Sequence, residues 1–412
     1  MWQYSPHVWA IFKPSFSGVV RGVRSRGLSS SSSSSLPISS SDFIYKDVET
    51  KDQPEVSKLL DDAASFSEIG NAEWATTPYP ASAMTDPLAG CSKRKVESSE
   101  RSIILFPGQG TIKVGDVKPY LRFPRVKELY QIASDILGYD LLKISMRGPQ
   151  NVLDRTEFNQ PATVVSSLAA LEKLQEERPR AVESCVAVAG YSVGELTALI
   201  FTGAMPYEEG IRLVGVRAAS MQAASEITSQ GMLSCYCTPT AKVGSICQQA
   251  QKWAMDIGAA HPICQVAVYM YTQGKVFGGC SEALQYIEKN CRGLGLRHLK
   301  RLPVTGAFHT PLMEGALKPF TKALMDTPLG EPSAYVYSNF SASTYTNNEK
   351  LNKKYLSRQI VSPVKWEQIM HKLYERPEGT QFPRSFDMGS KGTLKTILKN
   401  INAKAADSCY AY

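Results

Sequence analysis

After residue 101, short apolar runs alternate with segments in which apolar residues recur at helical spacing. The first run, 103–106, is ended by Pro-Gly-Gln-Gly at 107–110, which predicts a buried strand and then a tight loop. The pattern predicts strands at 103–106 and 182–189 and helices at 125–145, 160–177, 195–202 and 207–227. Strands that alternate with helices in this way indicate a parallel sheet of the α/β class.

Between residues 228 and 301 the pattern changes to two helices among four strands. It predicts strands at 231–237, 266–270, 275–277 and 297–302 and helices at 242–257 and 282–291. This β-α-β-β-α-β order is typical of a ferredoxin-like fold. We therefore interpret 228–301 as a small α+β domain inserted into a larger α/β domain, which 101–227 and 302–402 form together.

The first hundred residues differ in composition from the rest. Residues 1–41 hold four basic residues, fourteen serines and no acidic residue, the composition of an organelle transit peptide. With no sign of a plastid address, we predict import into the mitochondrial matrix; the alternative is a disordered N-terminal tail without a targeting role. Residues 42–100 are acidic and punctuated by proline, and we interpret them as a linker or a segment that wraps the surface.

Composition and charge narrow the class of protein. A chain of 412 residues that is 43% hydrophobic and 20% charged can bury a sizeable core. It has no run of 18 apolar residues, so we expect no membrane span. Its nine cysteines include no CxxC pair, which favours reduced thiols over a metal site. Residues 101–412 carry 36 basic and 26 acidic residues, which favours an anionic partner. Without a basic cluster interleaved with aromatics, we expect no nucleic-acid binding.

The candidate chemistry centres on Gly-Tyr-Ser-Val-Gly at 190–194, which fits the G-x-S-x-G pattern. Between a strand and a helix, this pattern makes a sharp turn that exposes a serine oxygen, here that of Ser192. The glycines let the chain turn without a Cβ clash, and the backbone N–H groups at the helix start point toward developing negative charge. The alternative is a Gly-Ser turn without a chemical role.

A serine nucleophile needs a base, and the chain has five histidines. His7 lies in the transit segment, while His261, His298 and His371 lie in a presumed loop, a charged strand and a polar helix. His309 stands in a predicted loop and follows the serine in chain order, as in α/β-hydrolase-like enzymes. We predict His309 as the base, with a purely structural histidine as the alternative.

At these residues the sequence resembles the malonyl-CoA:acyl carrier protein transacylases, and the mitochondrial type most of all. The resemblance spans about 101–402 and rests on six motifs that occur in family order. They are FPGQG at 106–110, NQPA at 159–162, GYSVGE at 190–195, VR at 216–217 with MQ at 221–222, GAFHTPLM at 306–313 and SPVKW at 362–366. It implies an α/β-hydrolase-like parallel-sheet core with an inserted ferredoxin-like domain.

The resemblance also implies a reaction, a ping-pong transfer of malonyl from CoA to the phosphopantetheine thiol of acyl carrier protein, which supplies mitochondrial fatty acid synthesis. The implied roles are Ser192 as the acylated nucleophile, His309 as the base, Gln109 and the backbone N–H of Val193 as the oxyanion hole, Arg217 as the partner of the malonyl carboxylate, and Gln160 as part of the acyl pocket. We expect no metal, no cofactor besides the CoA thioester substrate, and a monomer.

Three features depart from the family pattern. Tyr191 stands where many bacterial members have histidine, and the acidic segment 42–100 has no counterpart in them. Gly-Ser-Lys-Gly at 389–392 replaces a family Gly-Pro-Gly close to the histidine, which leaves the backbone carbonyl that orients His309 unassigned. Two alternatives stay open: a serine hydrolase or thioesterase, in which a side-chain carboxylate would orient His309, and a non-catalytic subunit that binds acyl carrier protein.

Overall fold

The computed structural model describes residues 100–412, so the predicted transit segment and almost all of the predicted linker lie outside the described residues. A five-stranded parallel sheet forms the centre of the larger part of the molecule. In spatial order its strands are β7 (Tyr335–Tyr337), β2 (Cys185–Gly190), β1 (Ser102–Phe106), β8 (Arg384–Asp387) and β9 (Cys409–Ala411). Every residue of β1 is buried, as the apolar run predicts for a strand with neighbours on both sides.

Helices occupy most of the chain between these strands, as expected for the α/β class. They are α1 (Pro124–Leu137), α2 (Leu141–Arg147), α3 (Gln150–Leu153), α4 (Thr156–Glu177), α5 (Pro179–Glu183), α6 (Gly194–Phe201), α7 (Tyr207–Glu226), α10 (Glu314–Asp326), α11 (Glu349–Gln359), α12 (Trp366–Tyr374), α13 (Thr393–Ile401) and α14 (Ala403–Asp407). The long helices α4 and α7 pack against each other, and both bury polar side chains that reach the site described below.

Two predicted elements of this part were wrong in their bounds. The strand predicted at 182–189 begins only at Cys185, because Pro179 starts the short helix α5 in a position where its missing N–H costs nothing. The helix predicted at 125–145 is two helices. Gly138 ends α1 with a left-handed φ of 77°, and the Asp140 side chain caps α2 by accepting the Lys143 N–H.

A second, antiparallel sheet forms the small domain. Its spatial order is β4 (Cys264–Tyr271), β5 (Gly274–Cys280), β3 (Gln230–Cys237) and β6 (Leu296–Arg301). Helices α8 (Val243–Asp256) and α9 (Ser281–Asn290) help to form a separate apolar core with this sheet. The predicted α/β class and the β-α-β-β-α-β order are therefore confirmed, while the domain boundaries themselves stay predictions.

The small sheet is attached to the larger part by backbone pairing and by a buried ion pair. The backbone of Val364 accepts from the Tyr269 N–H at 3.0 Å and donates to the Ala267 carbonyl at 2.9 Å, which forms a parallel bridge beside β4. Lys275 Nζ on β5 lies 3.3 Å from Glu367 Oε2 on α12, and neither side chain is more than 2% exposed. Since further hydrogen bonds satisfy both groups, the pair links the two parts at a fixed geometry.

No helix within residues 100–412 is long and apolar enough to cross a membrane.

Candidate active site

Ser192 lies in the turn between β2 and α6, with a left-handed φ of 55°. Two glycines make this turn possible. A Cβ on Gly190 would overlap the carbonyl of Gly194, and a Cβ on Gly194 would lie 2.5 Å from the Phe106 carbonyl oxygen. Because a larger residue at either position would push the elbow off the sheet, the G-x-S-x-G spacing places the serine at the carboxyl end of β2.

His309 contacts the serine directly, with 2.8 Å between Ser192 Oγ and His309 Nε2. The other ring nitrogen, Nδ1, lies 2.7 Å from the backbone carbonyl oxygen of Gln359, at the end of α11. A carbonyl only accepts, so Nδ1 carries the ring proton and Nε2 is left as an acceptor for the serine hydroxyl. The group that orients the histidine is thus a backbone carbonyl, whereas the hydrolase alternative expects a side-chain carboxylate.

Burial keeps this histidine neutral. His309 is 3% exposed, and its burial, reinforced by the positive charge of Arg217, lowers its pKa to about 3. A neutral imidazole with a free lone pair on Nε2 can take the proton of Ser192 Oγ at any pH well above that value.

Arg217 reaches the serine from α7 and is fully buried. Its Nη1 donates to Gln160 Oε1 at 2.6 Å, and its Nη2 donates to Gln359 Oε1 at 2.8 Å and to Ser192 Oγ at 3.2 Å. These acceptors are all neutral. Burial lowers its pKa only to about 10, so a charged guanidinium stands beside the serine oxygen and is placed to bind a carboxylate.

Gln109 and Gln160 join the same cluster. Gln160 Nε2 on α4 lies 3.3 Å from Gln109 Oε1, and Gln109 Nε2 donates to Thr156 Oγ1 at 3.1 Å. Val193 directly precedes α6, so its backbone lies at the positive end of that helix. The structure brings all six predicted site residues together, and their roles, including the oxyanion hole of Gln109 and Val193, stay predictions.

Three further polar residues support the elbow. Asn339, just after β7, accepts the Ser192 N–H at 2.7 Å and donates to the Gly190 carbonyl at 2.7 Å. The side-chain Nε2 of Gln359 donates to the Ser192 carbonyl at 3.0 Å and to Glu195 Oε2 at 2.6 Å. Sequence reasoning missed these three because the partners lie about 150 residues apart along the chain, although Glu195 stands inside the quoted GYSVGE motif.

Glu195 is the one carboxylate of this cluster and has no exposure. It accepts from Gln359 Nε2, from the backbone N–H of Asn339 at 3.0 Å and from the hydroxyl of Tyr345 at 2.5 Å. Burial raises its pKa to about 7, although these donors and the charge of Arg217 act in the opposite direction.

Across residues 100–412, no group of three or more His, Cys, Asp or Glu side chains is placed to hold a metal ion.

A parallel α/β sheet with a serine on a glycine elbow, a carbonyl-oriented histidine and a buried arginine is typical of serine enzymes that act on acyl groups. The family model for the acyl transferase domain matches residues 125–381. A probable mitochondrial malonyl-CoA-acyl carrier protein transacylase of Drosophila melanogaster is 46% identical over 327 residues, which cover 79% of this chain and 86% of that protein. The human mitochondrial malonyl-CoA-acyl carrier protein transacylase is 43% identical over 350 residues, 85% of each chain.

Solved structures agree with the sequence relatives. The malonyl CoA-acyl carrier protein transacylase of Coxiella burnetii superimposes with a TM-score of 0.67 at 27% identity, over 77% of this chain and 95% of that one. The chain belongs to the malonyl-CoA-acyl carrier protein transacylase family, and its similarity to the mitochondrial members confirms the resemblance given by the six motifs.

Proposed function

We propose that this protein is a malonyl-CoA:acyl carrier protein S-malonyltransferase that works through a malonyl-serine. The observation that carries the proposal is the charged guanidinium of Arg217, which neutral side chains hold 3.2 Å from Ser192 Oγ. An acyl group bound to that oxygen would place a terminal carboxylate within reach of the guanidinium. Malonyl has such a carboxylate and acetyl has none, so the site favours a carboxylated acyl group.

In the first half-reaction His309 Nε2 takes the proton from Ser192 Oγ while the oxygen attacks the thioester carbonyl of malonyl-CoA. Gln109 and the backbone N–H of Val193 stabilise the oxyanion, which is worth about 3 kcal/mol for each donor. When the tetrahedral intermediate collapses, the C–S bond breaks and the CoA sulfur leaves with the proton held by His309. Malonyl-Ser192 remains.

In the second half-reaction the phosphopantetheine thiol of acyl carrier protein takes the place of CoA. His309 removes the thiol proton, and the sulfur attacks the malonyl-serine carbonyl. The C–O bond to Ser192 then breaks and the proton returns from His309 to the serine oxygen, so enzyme and protons are restored. No metal or resident cofactor enters either step, and we propose that the enzyme needs none and works as a monomer.

Two observations speak against the alternatives. A hydrolase has no use for a buried arginine aimed at the serine oxygen, and it expects a carboxylate behind His309, where the Gln359 carbonyl lies. A non-catalytic subunit has no reason to keep Ser192 and His309 at hydrogen-bonding distance. One assay with malonyl-CoA and acyl carrier protein separates the three functions. Transfer of malonyl supports our proposal, and hydrolysis of malonyl-CoA supports the hydrolase. The absence of both reactions supports the non-catalytic subunit.

We also propose that the enzyme resides in the mitochondrial matrix and supplies fatty acid synthesis there. The acid-free, serine-rich composition of 1–41 supports import. The relatives named mitochondrial support the same organelle. Fusion of 1–41 to a fluorescent protein, followed by protease protection of isolated mitochondria, tests the matrix location.

At saturating malonyl-CoA, the rate of Ser192 malonylation is expected to stay within about twofold between pH 5 and pH 7.5. The reason is the pKa of His309, which burial lowers to about 3, so that the base keeps its lone pair throughout this range. Rapid-quench mass spectrometry of the acyl-enzyme measures the rate. Because burial raises the pKa of Glu195 to about 7, the same profile should be measured on Glu195→Gln. A fall that follows one ionisation near the ordinary histidine pKa of about 6.5 in both proteins would contradict the neutral, buried base.

The basic surface of the small domain is a candidate docking site for acyl carrier protein, an acidic partner. Arg297, Lys300 and Arg301 on β6 are the candidates, and the structure separates them. Arg301 is held by Glu288 through two hydrogen bonds, while Lys300 and Arg297 are exposed. Lys300 lies near the end of β6 that leads into the loop with His309, and Arg297 lies near the other end. They pair with Ser234 and Tyr236 of β3, respectively.

Lys300→Glu is expected to raise the KM for acyl carrier protein by about three- to tenfold and to leave malonylation of Ser192 unchanged, because surface charges steer association. Arg297→Glu, farther along the strand, is expected to have a smaller effect. Steady-state transfer at two salt concentrations and single-turnover malonylation measure the two half-reactions. Equal losses in both half-reactions would contradict docking at this surface.

A further inference from the structure

The buried positive charge of Arg217 and the buried negative charge of Glu195 do not touch. Within residues 100–412, neither side chain forms a direct ion pair, and the side-chain amide of Gln359 lies between them. Its Oε1 accepts from Arg217 Nη2 at 2.8 Å and its Nε2 donates to Glu195 Oε2 at 2.6 Å. The amide cannot be turned over, because that would aim its NH2 group at the guanidinium and its oxygen at a carboxylate and a carbonyl.

Unlike an ordinary buried ion pair, this arrangement leaves the guanidinium of Arg217 available to a substrate carboxylate. A carboxylate in direct contact would occupy the guanidinium and compete with a substrate carboxylate for the same N–H groups. A buried arginine with no counter-charge nearby would hold a substrate anion very tightly in a site that excludes water. A carboxylate one amide away offsets the charge while the guanidinium stays open toward Ser192.

We propose that Glu195 is a positioning residue that sets, through Gln359, how tightly Arg217 holds the carboxylate of the acyl group. The inference rests on the proposed function, since it assigns a role in that same acyl pocket. A transferase must bind malonyl well enough to exclude acyl groups without a carboxylate, yet it must release malonyl to the next thiol. The negative charge of Glu195, separated from Arg217 by the Gln359 side chain, serves both needs.

Glu195→Gln tests the charge alone. A glutamine has the same shape, and its oxygen can accept from Asn339 N–H and Gln359 Nε2 while its amide faces Tyr345. Removing the negative charge should strengthen the hold on malonate. Titration calorimetry with free malonate on the purified protein at about pH 8 is expected to give a dissociation constant three- to tenfold lower, from the loss of one like charge nearby.

The matched control is Glu172→Gln, another buried acid with a pKa raised by burial, on α4 and outside this cluster. Its malonate affinity is expected to equal that of the wild type. In transfer assays, Glu195→Gln should lower the KM for malonyl-CoA by the same factor and leave the KM for acetyl-CoA unchanged. A merely structural Glu195 predicts parallel losses for both thioesters and an unchanged or weaker malonate affinity, and that result would overturn the proposal.

The effect of pH provides a second readout. The ionisable groups that face Glu195 are Arg217 from α7, which stays charged, and Tyr345, whose pKa burial raises well above its usual value. With the pKa of Glu195 raised to about 7, its charge disappears as pH falls through neutrality. Wild-type malonate affinity should therefore rise as pH falls from about 8 to 6, and that of Glu195→Gln should not. Equal pH dependence in the two proteins would refute the role of Glu195.

Tyr345→Phe covers the case in which Glu195→Gln does not fold. It removes one donor from ionised Glu195, so the carboxyl keeps its proton to higher pH, and malonate should bind more tightly than to the wild type at about pH 7.5. Unchanged or weaker binding would count against the proposal. Because malonate binding needs no turnover, this test is separate from the proposed function, which fails if the wild type forms no malonyl-Ser192.

Discussion

Ser192→Ala is expected to abolish the covalent malonyl-enzyme and to lower malonyl transfer by about four orders of magnitude or more. The serine oxygen is the atom that both His309 Nε2 and Arg217 Nη2 contact, so no neighbouring group can replace it. Mass spectrometry of protein mixed with malonyl-CoA should show the added malonyl mass on the wild-type peptide that carries Ser192, and none on that peptide of the variant.

Ser245→Ala on α8 is a matched control, because this serine accepts a hydrogen bond from Gln249 of the same helix and belongs to the small domain. It should be labelled on Ser192 like the wild type. A malonyl group found on another residue, or equal labelling of the Ser192 variant, would remove Ser192 as the nucleophile.

Arg217→Ala is expected to lower malonyl transfer by about a hundred- to a thousandfold, while acetyl transfer falls much less or rises. Without the guanidinium, a malonyl carboxylate entering the pocket loses its water and gains no charged partner. An acetyl group has no such cost. In the wild type an acetyl group would leave a buried guanidinium facing an apolar methyl group, so the substitution should favour acetyl over malonyl.

Arg212→Ala provides the comparison, because Arg212 lies on the same helix but is exposed and pairs with Glu209. It should leave both reactions unchanged. Thermal unfolding of each variant should be measured as well, since Arg217→Ala also removes the hydrogen bonds that Arg217 donates to Gln160 and Gln359. If malonyl and acetyl transfer fall in parallel with the melting temperature, Arg217 is a structural residue and the substrate class loses its main support.

The parts of the fold that local pattern determines could be predicted from the sequence. The apolar run at 103–106 has no face that tolerates water, and it forms the fully buried strand β1. The turn has no room for a Cβ at positions 190 and 194, so the spacing of the two glycines predicts the position of the elbow. Element bounds were less certain where a short cap decides them, as at Pro179 and Gly138.

The supporting residues of the site could not be predicted in the same way. Gln359 is the last residue of a polar helix, and nothing in its local sequence indicates that its carbonyl orients His309 while its side chain lies between Arg217 and Glu195. Asn339 is equally inconspicuous in the loop after β7, although it caps the Ser192 N–H. Contacts of this kind depend on how distant elements pack, and a single sequence records no such distances.

The ion pair between Lys275 and Glu367 limits how this enzyme can be recombined with its relatives. In a chimera whose antiparallel sheet comes from a relative without a lysine at this position, Glu367 on α12 would lose its partner, and breaking such a buried pair costs about 3–5 kcal/mol. The replacement β4 would also have to pair with the backbone of Val364, two residues before Trp366, whose ring packs against Tyr191 beside Ser192. An exchangeable module must therefore include the segment from Val364 through α12 as well as the small sheet.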